Sequence, residues 1–352
     1  MALACAFAPL PAAVVERTYS TAVYPLLQRA ITRLSNRVPL AMFDFLLVGL
    51  TVAVVVMLIQ AAREARRTRT TGPLLRTLAR LTASGAVLYI LFLVLWGFNY
   101  RREPMSERLV FDRAAPSSDD VVTLGLSAID AMNGLYPAAH GEPLPGPEWT
   151  NASLRGAFAD VQRVLSDAPP AEPGRLKHSL LGPYFRWTGV DGMINPFGLE
   201  VIANPDLLPF ERPFVAAHEW GHLAGYADES EANFVGWLTC VRASAAAQYS
   251  GWFYLYWQVN GEVNAGERAR LSTALAPGPR ADINAVIARL RLGEMPALQR
   301  ASWRVYDQYL KANRVEAGVR SYGEVVNLIL RARFERGWTP VRRAAASSSL
   351  VP

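Results

Sequence analysis

His218, Glu219 and His222 form an HExxH motif, and two imidazoles four residues apart with an acid between them suit metal-assisted hydrolysis. On a helix that spacing puts both imidazoles on one face, one turn apart, where they can grip a single zinc ion. Glu219 then points towards the open coordination position. A carboxylate there can take a proton from activated water and later pass it to a leaving amine. The neighbours Val215, Ala216, Ala217, Trp220, Gly221 and Leu223 are uncharged, as a helix buried beside a metal requires. Two of the chain's four histidines stand in this motif. The plainer alternative is a buried helix whose histidines are merely hydrogen-bonded.

A catalytic zinc takes a third protein ligand and keeps a water. Asp228, Glu229 and Glu231 compete for that place. Gly225 can end the first helix with a left-handed turn, after which an acidic residue opens a second helix. Read one way, His218-Glu-x-x-His222-x-x-Gly225-x-x-Asp228 resembles the metzincin spacing with aspartate in place of the last histidine. Read another way, Glu229-x-x-Ala232-Asn233 resembles the helix-borne glutamate of thermolysin-like gluzincins, with Asn233 one turn on able to bond a ligating histidine. Glu229 is preferred, because no methionine turn follows and because Glu229 and Asn233 share a helical face that Glu231 does not. Asp228 suits a helix N-cap and Glu231 a solvated or supporting charge.

The elements that must position this motif begin with a membrane anchor. The chain has 352 residues, 51% hydrophobic and 19% charged, and its mean hydropathy is slightly positive. Residues 45–62 and 81–100 lack any charge and are long enough to span hydrocarbon; the second ends in the interfacial aromatics Trp96, Phe98 and Tyr100. Arg63, Arg66, Arg67, Arg69, Arg76 and Arg80 lie between them against Glu64 alone, a net of +5 out of the chain's formal +6. The positive-inside rule makes that loop cytoplasmic and puts everything after Tyr100 on the outer face, although Arg29, Arg33, Arg37, Arg101 and Arg102 work against the asymmetry. The charge is thus a topology signal and excludes a nucleic-acid partner, which would need basic residues along a folded surface. Residues 1–15 make a poor signal peptide, and residues 15–37 have the pattern of a helix lying on the membrane, with Leu26, Leu27, Ile31 and Leu34 opposing Arg29 and Arg33. Cys5 and Cys240 imply no disulfide framework.

The expected organisation is an amino-terminal segment with an interfacial helix (1–40), two transmembrane helices (41–102), an extracytoplasmic domain (103–340) and a disordered tail (341–352). Within the domain, helices are expected over 119–136 and from Thr150 or Asn151 to about 165, then 281–292 and 296–312, with loops at 137–147 and 168–174. Asn151-Ala-Ser153 fits a glycosylation sequon. Gly and Pro punctuate β-prone runs between 186 and 204, the pattern of a small sheet in which 199–204 would be an edge strand able to pair with an extended substrate. In the polar loop near the end, Tyr322 is the candidate donor to the oxyanion of amide hydrolysis.

Several separate motifs then carry a resemblance: Val15-Glu-Arg-Thr-Tyr-Ser-Thr-Ala-Val-Tyr-Pro25, Leu95-Trp-Gly-Phe-Asn-Tyr-Arg101, Ile194-Asn-Pro-Phe-Gly-Leu-Glu200, the stretch from His218 to Phe234, Tyr249-Ser-Gly251, Tyr309-Leu-Lys-Ala-Asn313 and Ser321-Tyr-Gly323. Together they resemble a bacterial family of membrane-anchored HExxH proteins, catalogued as a domain of unknown function and likened to zinc peptidases. The resemblance implies transmembrane helices ahead of an outward-facing metallopeptidase-like domain, often with a further amino-terminal span that is short or missing here. The expectation is therefore a mainly α chain: transmembrane helices, then a zincin-like α+β domain with a small sheet beside the HExxH helix. The expected function is a multi-pass zinc peptidase of the cytoplasmic membrane. It would hold Zn2+ through His218, His222 and Glu229, use Glu219 and Tyr322 in catalysis, and have a peptide or protein substrate and the lipid bilayer as partners. A non-catalytic membrane protein with a structural zinc or a peptide-binding cleft is the second reading, which a fourth protein ligand would favour.

Overall fold

The computed structural model describes residues 10–112, 114–141, 152–293, 295–313, 315, 318 and 323–343. It is mainly helical with few, short strands. Ala12–Val15, Glu16–Val23 and Tyr24–Asn36 run on as one helical rod, α1, with π-type turns in its middle stretch. Its buried face mixes the core residues Val15 and Tyr24 with polar ones, Ser20, Gln28, Thr32 and Ser35. The Tyr24 hydroxyl donates to the Leu223 carbonyl at 2.8 Å, Gln28 Nε2 to the Glu172 carbonyl at 2.8 Å, and Thr32 Oγ1 to the Leu199 carbonyl at 2.7 Å. Hydrogen bonds thus dock this helix on the rest of the chain, while Val23, Leu26 and Leu34 stay exposed on its other side.

Helices α2 (Met42–Thr68) and α3 (Gly72–Leu95) pack together as a hairpin. Their apolar stretches have mean hydropathies of 2.6 and 2.0, and both helices are long enough to cross a bilayer. Almost none of that apolar surface is covered by the rest of the chain. The hairpin's base is tied down firmly. Helix α2 has no side-chain cap from its own N-cap residue Ala41. Instead the Glu200 carboxylate accepts from the amides of Met42 (3.0 Å) and Phe43 (2.7 Å), satisfying the donors that a helix start leaves open.

After a 3-10 turn at Gly97–Arg101 and a short helical turn at Met105–Arg108, α4 (Ser118–Gly141) starts with reciprocal Ser117 and Asp120 hydrogen bonds. It carries on through Pro137 beyond the expected end at 136, with His140 stacked on Tyr136 one turn back. Helix α5 (Ala152–Leu165) follows. The expected loop over 142–147 and the sequon residue Asn151 lie outside the described residues, as does the tail from 344.

A three-stranded sheet comes next: β1 (Leu176–Lys177), then helix α6 (Gly182–Thr188), β2 (Gly192–Asn195) and β3 (Glu200–Ala203). The order is β1-β3-β2, with β3 parallel to β1 (Leu176 opposite Val201) and antiparallel to β2 (Gly192 opposite Ala203). The strand expected at the edge is therefore the central one, and β2 is an edge. Two residues of β1 suffice to cover β3's other side, too short a run to show any alternation in sequence. Lys177 in β1 is fully buried, its Nζ 2.7 Å from Glu200 Oε2 and 2.9 Å from the Ser35 carbonyl, so one ion pair joins sheet, α1 and the base of α2.

The helices α7 (Arg212–Leu223), α8 (Glu229–Cys240) and α9 (Ala245–Glu262) form the centre of the globular part, with α9 packed along α4. Helices α10 (Ala265–Ala274), α11 (Pro277–Gly293), α12 (Pro296–Ala312) and α13 (Glu324–Arg331) and a hairpin of β4 (Phe334–Glu335) and β5 (Thr339–Pro340) complete the fold. One hydrophobic core runs from Phe158, Trp220 and Trp237 to Tyr24 of α1 and Phe92, Leu93 and Trp96 at the end of α3.

Candidate metal centre

Helices α7 and α8 approach so closely that glycine is needed at their crossing. A Cβ on Gly236 would lie 3.1 Å from the backbone N and Cα of His218, and one on Gly221 would lie 3.3 Å from Ala232 Cα. Gly225 turns the chain between them with φ at +85°, where a Cβ would also meet Asn99 Oδ1 at 2.8 Å. The Gly225 amide donates to the His222 carbonyl (2.9 Å) and the Tyr226 amide to the Gly221 carbonyl (3.1 Å), a Schellman closure. That turn delivers the Tyr226 carbonyl to His222 Nδ1, 2.8 Å away. A carbonyl only accepts, so Nδ1 carries hydrogen and the lone pair of the neutral ring sits on Nε2. Asn233, expected as a partner for a ligating histidine, does not fill that role for His222, because the turn's own backbone already does.

Asp228 opens α8 as its N-cap, Oδ1 accepting from the amides of Ser230 (2.8 Å) and Glu231 (3.3 Å). Glu231 points the other way, accepting from the Met105 amide and pairing with Arg108 at 3.6 Å. Of the three competing carboxylates, only Glu229 joins the imidazoles. Its Oε2 lies 3.5 Å from His218 Nε2 and 3.3 Å from His222 Nε2. One ligand atom from each of these three buried residues falls within 4.8 Å of the others, which makes them a group able to hold one metal ion.

The donor set suits a borderline cation such as zinc: two imidazole nitrogens and one carboxylate oxygen. Glu229 Oε2 is buried, and it faces both nitrogens without the geometry of a hydrogen bond to either. Burial lowers the pKa of His222, and the Glu229 carboxylate, together with Glu219 and the Tyr226 carbonyl, pushes it up to about 9. Glu229 answers in kind: burial works against its ionisation, and the two imidazoles nevertheless hold it well below the usual carboxylate range.

Glu219 lies beside this group, almost fully buried, with Oε2 unpartnered. Burial raises its pKa, a shift that the neighbouring imidazoles only partly offset. It rests against β2: a Cβ on Gly192 would come within 2.7 Å of Glu219 Oε1. Arg289 of α11 fixes this relation, donating to Glu211 at the start of α7 (2.7 Å) and to Asp191 just ahead of β2 (3.0 Å).

The three donors and Glu219 line the inner wall of a cavity of about 710 Å³. Its other walls are Gly192, Met193 and Ile194 of β2, Tyr184 and Phe185 of α6, Trp303, Tyr306 and Tyr309 of α12, and Phe43, Trp96 and Tyr100 from the base of the hairpin. Tyr306 donates its hydroxyl to Glu229 Oε1. Tyr322 lies outside the described residues. Tyr306, Arg289 and Gly192 carry no local signal that marks them; only the packing of α11, α12 and β2 around α7 brings them together. In sequence Tyr306 is one of thirteen tyrosines.

Residues 19–330 match the family described as protein of unknown function (DUF3810). The chain belongs to that family. No curated protein and no solved structure matches it.

Proposed function

We propose that this DUF3810 protein is a membrane-anchored zinc peptidase whose zincin-like domain works at the outer face of the cytoplasmic membrane. The observation that carries the reading is the convergence of His218, His222 and Glu229 on one point, with Glu219 beside them at the floor of a cavity large enough for a peptide segment. Three protein donors leave a position open, the pattern of catalytic rather than structural zinc, and the metal-binding group among the described residues has three members. Zinc held there would supply a Lewis acid that activates water and polarises a carbonyl.

The chain's own residues supply the rest. The Tyr226 carbonyl and Tyr306 hydroxyl orient His222 and Glu229. Glu219, buried beside the three donors, takes the proton from the attacking water and returns it to the departing amine nitrogen. The open side of β2, an edge strand, offers backbone groups to an extended substrate, and the apolar walls exclude water. The arginines between the two long helices support a cytoplasmic position for that turn, by the positive-inside rule, and with it an outward-facing cavity.

The test uses the full chain in detergent or vesicles, loaded with zinc and given an unfolded protein such as casein. New amino termini are expected with the native chain and none with Glu219→Gln, which keeps its zinc. Equal hydrolysis by the two would remove this mechanism.

A further inference from the structure

Exposed apolar side chains are unevenly spread over the globular part. Among the described residues beyond 102, every large exposed hydrophobic except Leu126 falls within 180–187 or 292–309, on or beside α6 and α12. Leu180 is 72% exposed, Leu292 87% and Val305 71%, values that place them wholly outside the core. These two helices are the outer walls of the cavity, and they are joined to each other: the Tyr184 hydroxyl lies 2.6 Å from Ser302 Oγ, and the Met295 amide donates to the Trp187 carbonyl at 3.2 Å. Exposed Arg300 and Arg304 precede Val305 on α12.

The same walls are fastened to the apolar hairpin at its base. Asp44, in the first turn of α2, accepts from the Leu180 amide at 2.9 Å and from the Ser179 hydroxyl, which sets Leu180 level with the start of that span. On the far side of the cavity the Tyr309 ring meets Phe92, three residues before the end of α3, with centroids 6.4 Å apart. Trp96 and Tyr100 stack edge to face just beyond. The apolar rim of the cavity is thus continuous with the ends of the two helices that are long and apolar enough to cross a bilayer.

We infer that this rim, formed by α6 and α12, is itself a membrane-docking surface that seats the mouth of the cavity in the lipid headgroup and acyl boundary. Apolar side chains with arginines among them are what such a boundary takes up, the apolar tips entering lipid and the guanidinium groups meeting phosphates. A cavity opening at that level receives chains that reach the bilayer surface. The substrate class it implies is a polypeptide segment adjoining a membrane anchor, and that part alone rests on the peptidase reading.

The experiment reads depth directly. Single cysteines replace Leu180, Val305 or, as the control, exposed Asp130 on α4, in the full chain carrying Cys5→Ser; Cys240 is buried. Each is labelled with a fluorophore and reconstituted into vesicles of phosphatidylethanolamine and phosphatidylglycerol that contain a lipid with a nitroxide near the headgroup end of its acyl chain. Quenching at Leu180→Cys and Val305→Cys at least about threefold that at Asp130→Cys is expected if the rim enters the boundary. Quenching at the rim no greater than at Asp130→Cys overturns the inference. Zinc is counted in the same vesicles. Rim quenching without zinc would remove the peptidase reading and leave the docking surface standing, whereas zinc without rim quenching would do the reverse.

Discussion

Gly192 and Tyr306 test the site at the scale of single residues, because each touches a proposed working group without being a metal donor. A methyl group at Gly192 must displace Glu219 Oε1, so Gly192→Ala should keep zinc while lowering kcat by about 10²-fold or more, in line with the worth of a placed general base. Tyr306→Phe removes the hydroxyl on Glu229 and should also keep zinc, with the loss falling on kcat rather than KM by about 10²-fold. Both are read by zinc content and initial rates on the same preparations; a lost metal would make either residue merely structural. At this scale sequence reasoning went far. The HExxH spacing points to His218, Glu219 and His222 and the helical-face argument to Glu229 rather than Asp228 or Glu231, and the structure brings His218, His222 and Glu229 together. Tyr306 escaped it because a hydroxyl arriving from a helix 77 positions away leaves no pattern near the motif.

At the scale of elements, the question is what holds α7, α8 and the sheet in register. Gly236→Ala would press a methyl against the His218 backbone at 3.1 Å, an overpacking that should lower stability by about 1–3 kcal/mol and weaken zinc binding, measured by thermal unfolding and metal titration. Breaking the buried Lys177 and Glu200 pair is more severe. Lys177→Met leaves the buried carboxylate without its counter-charge and should cost about 3–5 kcal/mol, loosening the attachment of α2 to β3.

Glu211 adds a pH term to the same element contacts. Burial outweighs Arg289 and pushes its pKa from 4.5 up to about 7 in the folded chain. A raised carboxyl binds its proton better when folded. Its contribution is therefore fully present below pH 4.5 and is lost as pH rises towards 7. The stability of the native chain relative to Glu211→Gln should fall across that window, and a flat difference would contradict the assignment. The small sheet was foreseeable from its Gly and Pro punctuation. The centrality of β3 was not, since the two-residue β1 is recognised only by its pairing.

Considered whole, the molecule does not divide where its hydropathy does. Residues 1–102 contain both long apolar helices, yet Tyr24, Phe92, Leu93 and Trp96 belong to the core that surrounds α7, and Trp96 Nε1 donates to the His222 carbonyl at 3.0 Å. A fragment starting at 103 should lack a cooperative thermal transition, while the full chain in detergent should show one. The two long apolar helices were legible in sequence because a bilayer-length apolar run is a strong local signal. The docking of α1 was not, because it uses polar contacts, Gln28, Thr32 and Ser35 among them, which leave no apolar pattern in the sequence. The measurement that bears most directly on the whole account is zinc per full-length chain after reconstitution and removal of free metal. About one equivalent is expected in the native protein and in Glu219→Gln, with loss in His218→Ala, His222→Ala and Glu229→Ala. Less than about a tenth of an equivalent in the native chain, or full retention in the three donor variants, would contradict it.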